Sequence, residues 1–421
     1  MANNFDSNFT RKVMEKTIDP FNSERVISKN VNTQLFAGQF NPQSGTVVDI
    51  KRPTDYNVIS TADGNISTSR SDIINGKASA TVQNYITVAV DYNEVDEALK
   101  MGTTTEMFDS IGRRMVVDLE TKFAAFAMKN TALLQGTVGQ GVDAWSEIAN
   151  AGALMESTGV PQNKPWCYFM NSYSQAALAD AQRGLGVNPT VSMANEKATV
   201  MENFAGFSVK TANTLATYSS QAGADRVGAL TSAPNVTYAA HKDTMQQSLV
   251  LKSFTNGLVI KAGEQIQITG RNRLNLSTRQ PIIDSSGANV VFTGTVVADV
   301  TLDGSGNGTV VISGPAIFEA SGAYNTVDSS PTTDDVVTIL GAASSTYQPN
   351  MFWHPDAFAI ASVPLQKLHS TDTLATTVDG LQMRCSKYSD GSANKQTVRF
   401  DLLPAFGVLN PFFAGQGFGV A

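Results

Sequence analysis

Between residues 299 and 314 the chain reads DVTLDGSGNGTVVISG, which sets Asp303, Ser305 and Asn307 at alternate positions ahead of Gly308. Oxygen-bearing side chains so spaced, with a glycine in sixth place, make the first half of a calcium-binding loop. The second half is missing. A complete loop needs a bidentate acid in its twelfth place, where this chain has Gly314, and a helix on either side. The flanks are instead VVADVTL and TVVISG, β-branched runs that alternate. Val300 and Leu302 can face Val310 and Ile312 while Gly304 to Gly308 turns a hairpin. The spacing therefore predicts a turn and no metal.

Other constellations that carry chemistry are also incomplete. The three histidines, His241, His354 and His369, are more than ten residues apart, and no H-E-x-x-H, H-x-x-H or C-x-x-C spacing exists. No G-x-S-x-G elbow occurs. The stretch NGKAS has the Gly-Lys of a phosphate loop but lacks the upstream glycine and a Ser or Thr directly after Lys77. Glu94, Asp96 and Glu97, like Asp334 and Asp335, are acids crowded in sequence and read as solvated faces. The expectation is no catalytic residue, no cofactor and no metal.

The elements that would position such groups point elsewhere. At 421 residues the chain exceeds the size of a single core, so two or more domains are expected. Its net charge of −7, with no dense Lys/Arg cluster, argues against a general nucleic-acid binder. Two cysteines, Cys167 and Cys385, exclude a disulfide framework and fit a reducing compartment. The start MANNFDSNFTRKVMEK lacks the apolar run of a secretory leader, and no run of about 18 apolar residues predicts a membrane span.

Phe5, Phe9 and Val13 fall at helical spacing, predicting a short amphipathic helix that Pro20 interrupts and that docks on its own body or, as the alternative, on a neighbour. The runs TVVDIKRP and ASATVQNYITVAVDY read as the two strands of a long projecting hairpin, with Asp63-Gly64 and Asn75-Gly76 as turn dipeptides. Residues 103–134 form the clearest helix. Thr103 and Glu106 make a capping box, and Phe108, Ile111, Met115, Leu119, Phe123 and Phe126 line one face. Its length is about 48 Å at 1.5 Å per residue, and Gly112 is its weak point.

Residues 135–225 mix helices (AWSEIANAGALMEST, SYSQAALADAQRG) with short strands (WCYFM, FSVKTA), an α+β pattern. From about 226 the helical period vanishes for 120 residues. Strand candidates follow one another: QSLVLKSF, GLVIKAGEQIQITG, ANVVFTGTVVADVTL, GTVVISG and DVVTILG. Turn clusters separate them, as in a small barrel or sandwich. The chain closes with two strands joined by a polar loop around Asp390-Gly391. Protrusions without a core of their own are costly to order unless a neighbour receives them, so several of them suggest a subunit of a closed assembly.

Three stretches, INGKASATVQNYITVAVDYNEVDEALKM, PNMFWHPDAFAIASVPLQKLHSTDT and SKYSDGSANKQTVRFDLLPAFGVLNP, resemble the major capsid (coat) proteins of lambdoid short-tailed bacteriophages. The resemblance covers most of the chain and is weakest in the β-rich insert. It implies an α+β Hong Kong 97-like capsid fold with a β-barrel insertion domain. The implied parts are an N-terminal arm at 1–45, an E-loop at 46–86, a P-domain at 87–137 with its spine helix at 103–134, and an A-domain at 138–225 resuming at 346–380. The insertion domain falls at 226–345, and the C-terminal hairpin and P-domain strands at 381–421.

It further implies a subunit that assembles as pentamers and hexamers into an icosahedral shell around packaged double-stranded DNA, without sequence-specific binding and with no membrane partner. A scaffolding protein and a portal protein are the implied partners, assembly takes place in the bacterial host cytoplasm, and maturation proceeds by subunit rearrangement. Members of this subgroup lack the Lys–Asn cross-link of the founding fold, and no acidic catalyst can be assigned beside Lys77, which is expected to be solvated or ion-paired. Arg70, Asp72 and Lys77 on the loop, with Asp390 and Lys395 on the terminal hairpin, are the expected inter-subunit contacts. Arg11, Lys12, Glu15 and Lys16 on the first helix have the charge to meet scaffolding and are left unassigned. The alternatives are another virion protein of tail or decoration type, or an enzyme, for which the chain lacks a ligand or nucleophile cluster.

Overall fold

The computed structural model describes residues 5–41, 45–56, 58, 62–67, 73–93, 104–182, 191, 193–194, 197–223, 225–320, 322–369, 372–392 and 395–420. They fall into two compact units. The first gathers Met1–Ile50, Ser79–Ala124 and Phe358–Gly407; the second gathers Lys51–Ala78, Ala125–Ala357 and Val408–Ala421.

In the first unit the first helix, termed the arm helix for its place in the chain, runs Phe5–Glu24, with Pro20 inside it and not at its end. Proline removes one backbone hydrogen bond, and burial of Val13, Met14 and Phe21 offsets that loss. The helix docks on its own chain, where Thr10 Oγ1 lies 2.8 Å from Thr373 Oγ1. Gly112 has a different role from the weak point expected of it. A Cβ there would sit 2.6 Å from the Thr17 carbonyl oxygen and 3.2 Å from Pro20 Cγ, so only glycine lets the arm helix cross this close.

The long helix runs Thr104–Lys129, about 39 Å at 1.5 Å per residue, and stops short of residue 134. The chain leaves the helix because its next amides are taken by strands: Ala132 N donates to the carbonyls of Pro411 and Ala414, and Leu133–Gln135 pairs in parallel with Ala414–Gly417. Ile111, Met115, Leu119 and Phe123 are buried as their spacing predicts, and Phe126 is half-buried. The Thr103–Glu106 capping box and the Phe5, Phe9 and Phe108 side chains lie outside the described residues.

The predicted second strand of the projecting hairpin is two strands in two sheets. Lys77–Val82 lies between Val47–Lys51 and Pro404–Val408, with Phe358–Ser362 beyond. Ile86–Asn93 instead edges a sheet that continues through Lys395–Leu402 and Gln382–Asp390 to Thr373–Thr376. Phe123 meets Phe358 and Phe406 edge-on, at 6.3 and 5.2 Å between ring centres.

The second unit holds a six-stranded sheet in the order Leu133–Gln135, Ala414–Gly417, Asn350–Trp353, Trp166–Met170, Phe207–Thr211, Asn203–Phe204. Every residue of Trp166–Met170 is buried, which explains its unbroken apolar run. Helices Trp145–Thr158 and Ser172–Gln182 complete this part, and Ile148, Met155 and Leu178 join the sheet's aromatic core.

The all-β insert is a closed barrel. Its strands run in the order Gln246–Lys252, Gly308–Ser313, Val291–Val296, Gln265–Asn272, Val336–Ile339, Val227–Leu230. Leu249, Leu251, Ile266, Ile268, Phe292, Val310, Ile312 and Val337 fill it. The closing strand, Val227–Leu230, is absent from the sequence-based expectations because it carries Gly228 and Ala229 where a strand usually carries bulk. The Phe254 ring covers Gly228 so closely that a Cβ would come within 2.4 Å.

The motif at 303–308 is a turn. Asp303 Oδ1 accepts from the Ser305 and Asn307 amides at 2.8 Å each, which holds its carboxyl below the usual range, and Gly306 takes φ +72°. The preceding strand pairs differently from expectation. Val300–Thr301 joins Val259–Ile260, whereas Gly308–Ser313 joins Gln246–Lys252. Among the described residues no group of three or more His, Cys, Asp or Glu could hold a metal ion.

Candidate assembly surface

Two charged hubs hold the first unit's extended pieces. On the long helix, Glu120 is buried, and its carboxylate accepts from the Ile27 amide at 2.6 Å, the Ser28 amide at 2.9 Å and the Ser28 hydroxyl. Arg25, also buried, donates to Ser28 Oγ at 2.9 Å, to the Ser28 carbonyl at 3.1 Å and to Asp379 Oδ2 at 3.1 Å. Burial lowers the Arg25 pKa, against the pull of Asp379 and Glu120. The segment after the arm helix is thus tied down by buried charge.

The second hub lies on the polar face of the hairpin sheet. There Arg384, Asp401 and Thr87 stand opposite one another in register, and Arg399 opposes Ser386. Asp401 is fully buried and accepts from Arg384 Nη2 at 2.5 Å, Thr87 Oγ1 at 2.7 Å and Arg399 Nε at 2.8 Å. Burial pushes its pKa up, and the bonds from Arg384, Thr87 and Arg399 outweigh it, so the carboxyl stays below the ordinary range. This network was missed in the sequence. The only local signal was an Arg399-x-Asp401 spacing on a strand, and Arg384 reaches it across the hairpin.

Of the expected contact residues, Asp390 and Lys395 are brought together. They end the two strands of the terminal hairpin, face each other in register, and are both exposed. Asp390 Oδ1 also accepts from the Ser392 amide at 2.9 Å. Lys77 belongs to the other unit and opens its strand with an exposed side chain. Its amide donates to Asp243 Oδ1 at 3.2 Å. Arg70 and Asp72 lie outside the described residues, as do Glu94, Asp96 and Glu97.

The histidines do not converge. His241 faces the carbonyls of Gln246 and Asn235 with its ring nitrogens, and His369 belongs to the other unit. His354 is buried, with Nε2 2.8 Å from Asn163 Oδ1, while its Nδ1 accepts from the Asp356 amide at 3.1 Å. That pattern assigns the neutral ring with its proton on Nε2. At the base of the barrel, Arg273 is buried without an acid. It donates to the carbonyls of Ala132 and Thr293 at 2.8 Å and lies against the Phe292 and Phe412 rings; burial lowers its pKa to about 10. His241, His354 and Arg273 are thus engaged in holding structure.

A family model described as "P22 coat protein - gene protein 5" matches residues 1–419. The chain belongs to this coat-protein family. A "Major capsid protein" of Acyrthosiphon pisum secondary endosymbiont phage 1 is 36% identical over 426 residues, covering 100% of both chains. Among solved structures, one from Mycobacterium phage Che8 is similar at 12% identity and a TM-score of 0.47, covering 93% of this chain and 90% of that one. The capsid of the cyanophage P-SCSP1u is similar at 9% identity and a TM-score of 0.43, covering 90% and 85%. As a member of the coat-protein family the chain is a virion structural protein and not an enzyme.

Proposed function

We propose that this chain is the major capsid protein of a tailed bacteriophage, assembling as pentamers and hexamers into the icosahedral shell that encloses packaged double-stranded DNA. The single observation that carries the proposal is the family match over residues 1–419. The full-length relative supports it. In this reading residues 1–45 are the arm, 46–86 the E-loop, 87–137 the P-domain with its spine helix, 138–225 and 346–380 the A-domain, 226–345 the insertion domain, and 381–421 the terminal hairpin and P-domain strands. The closed barrel and the helix Thr104–Lys129 support that division.

Assembly proceeds around a scaffolding protein and a portal, in the host cytoplasm, and maturation rearranges the subunits without a covalent cross-link. Arg70, Asp72, Lys77, Asp390 and Lys395 contact neighbouring copies; the exposed pair at the hairpin tip supports this for Asp390 and Lys395. The net charge of −7 suits a shell that must not trap the DNA moving into it. The test is sedimentation and electron microscopy of the chain expressed alone and with a scaffolding protein. Uniform closed shells in the second case are expected; a small monodisperse oligomer in both would refute the proposal. Charge reversal at Asp390 is expected to lower shell yield.

A further inference from the structure

The segment Lys51–Ala78 belongs to the same compact unit as the barrel, although the residues on either side of it belong to the other unit. Its two ends meet each other first. The Arg52 amide donates to the Gly76 carbonyl and Arg52 Nε to the Lys77 carbonyl, both at 2.9 Å, and its Nη1 reaches the Leu409 carbonyl. Arg52 is buried, and burial lowers its pKa to about 10.

Both ends then engage loops on the barrel's flank. On the returning end, Lys242 Nζ donates to the Asn75 carbonyl at 3.2 Å, and the Lys77 amide donates to Asp243 Oδ1. Gly76 lies between them, where a Cβ would be 2.6 Å from the Lys242 carbonyl oxygen and 3.1 Å from the Tyr238 hydroxyl. The glycine of this Asn-Gly pair therefore serves a close approach. On the leaving end, the Asp55 amide donates to Tyr324 Oη at 2.8 Å, and Arg279 Nη2 donates to Asp55 Oδ2 at 2.8 Å.

The flank is built for this. Tyr324 stacks face to face on Tyr238, with ring centres 3.6 Å apart and planes 3° from parallel. Tyr238 is 1% exposed, which fixes the stack. Arg279 has φ +57°, a left-handed conformation that glycine adopts at no cost and an arginine does not. Its other arm donates to the Asn325 carbonyl at 2.9 Å, so the guanidinium spans the flank and the segment. Beyond the held ends the segment exposes Tyr56, Val58, Ile66 and Ile73, at 51, 95, 49 and 70%. Uncovered in the single chain, these four side chains are available to pack on a second copy.

We propose that the barrel's flank is a socket for the stem of the 51–78 segment, so that the inserted domain sets the direction in which the segment leaves its subunit toward a second copy of this chain. The directional role rests on the capsid-subunit reading; the socket itself is intramolecular and does not. The test is amide hydrogen exchange on the full unassembled chain, with Tyr324→Phe and Gly76→Ala, followed by assembly with scaffolding protein. Tyr324→Phe keeps the ring stack and removes the acceptor for Asp55.

Exchange at Asp55 in Tyr324→Phe, and at Lys77 in Gly76→Ala, is expected to quicken about fivefold or more, the loss of one net hydrogen bond. The Leu249 and Ile266 amides stay protected, which shows the barrel folded. Shells made from these variants are expected to be fewer and irregular. Unchanged exchange at Asp55 and Lys77 would overturn the socket. Faster exchange with shells of parental size and yield would overturn the directional role. If the parent chain forms no shells while the variants still exchange faster, the socket stands and the capsid reading falls.

Discussion

The segment after the arm helix and the stem of the 51–78 segment are both extended chain without a core of their own, yet they are held by different physics. Residues 25–28 are tied by ionised groups taken out of water: Glu120 is 2% exposed and Arg25 is 3% exposed. In the stem a buried charge, Arg52, ties the two ends to each other through the Lys77 carbonyl and reaches the Leu409 carbonyl. The hold on the barrel's flank, however, is made by backbone amides and carbonyls and by an ion pair, Arg279–Asp55, whose acid remains half-exposed. A buried charge stripped of its partners is expensive, while an exposed pair is screened and contributes little. The first hold is therefore difficult to release, and the second is of a size that binding to another molecule can outweigh.

The contrast is tested hardest at Glu120. Glu120→Ala leaves the Ile27 and Ser28 amides and the Ser28 hydroxyl without their acceptor and removes a charge that favours buried Arg25, and is expected to destabilise the monomer by about 3 kcal/mol. Urea unfolding of the unassembled chain measures it; a loss below about 1 kcal/mol would put the two holds on a level. Next comes Gly112→Ala, which drives a methyl into the Thr17 carbonyl and is expected to cost about 2 kcal/mol. Trypsin should then cut at Lys12 and Lys16 well before the rest of the chain. Equal resistance of parent and variant would mean that the close crossing is dispensable.

Asp55→Asn, which removes the ion pair and keeps the Arg279–Asn325 bond, should cost only about 0.5 kcal/mol at low salt, and the difference should vanish in about 1 M salt. A larger, salt-independent loss would show the stem held as tightly as residues 25–28. The smallest effect at neutral pH comes from His354 and Asp401, and it separates the two units as the solution is acidified. Burial lowers the His354 pKa, so the unfolded chain binds the proton more readily, and stability falls as pH drops below about 6.5. Asp401, also depressed, contributes in full above about 3.9 and loses its share only as pH falls through its folded value. Amide protection in the second unit, corrected for the intrinsic pH dependence of exchange, should thus fall near about pH 6 while that of the hairpin sheet is unchanged, and His354→Gln should flatten that first step.

Much of this was legible in the chain. The face of the long helix, the β-rich insert, the turn at Asp303 and the terminal hairpin all follow from period and turn chemistry within a few residues of one another. The elements that escaped depend on distant partners. Val227–Leu230 carries small residues because Phe254 covers it, and the arm helix passes through Pro20 because Phe21 and its neighbours are buried. Of the five expected contact residues, Asp390 and Lys395 could be paired from the hairpin alone. Lys77 gave no sign that its amide meets Asp243, 166 residues away.

By itself, then, the sequence determined the local units of this protein and their family: helix faces, strand alternation, turns, and the absence of any spaced ligand set. These depend on residues near in the chain, whose geometry is set by backbone sterics and side-chain period. Only the tertiary structure decided which strand closes the barrel, why Gly112, Gly228 and Gly76 must be glycine, and which charges could be buried. Each of those outcomes is a contact between residues far apart in sequence, and close packing and desolvation act on whatever the fold brings within a few ångströms.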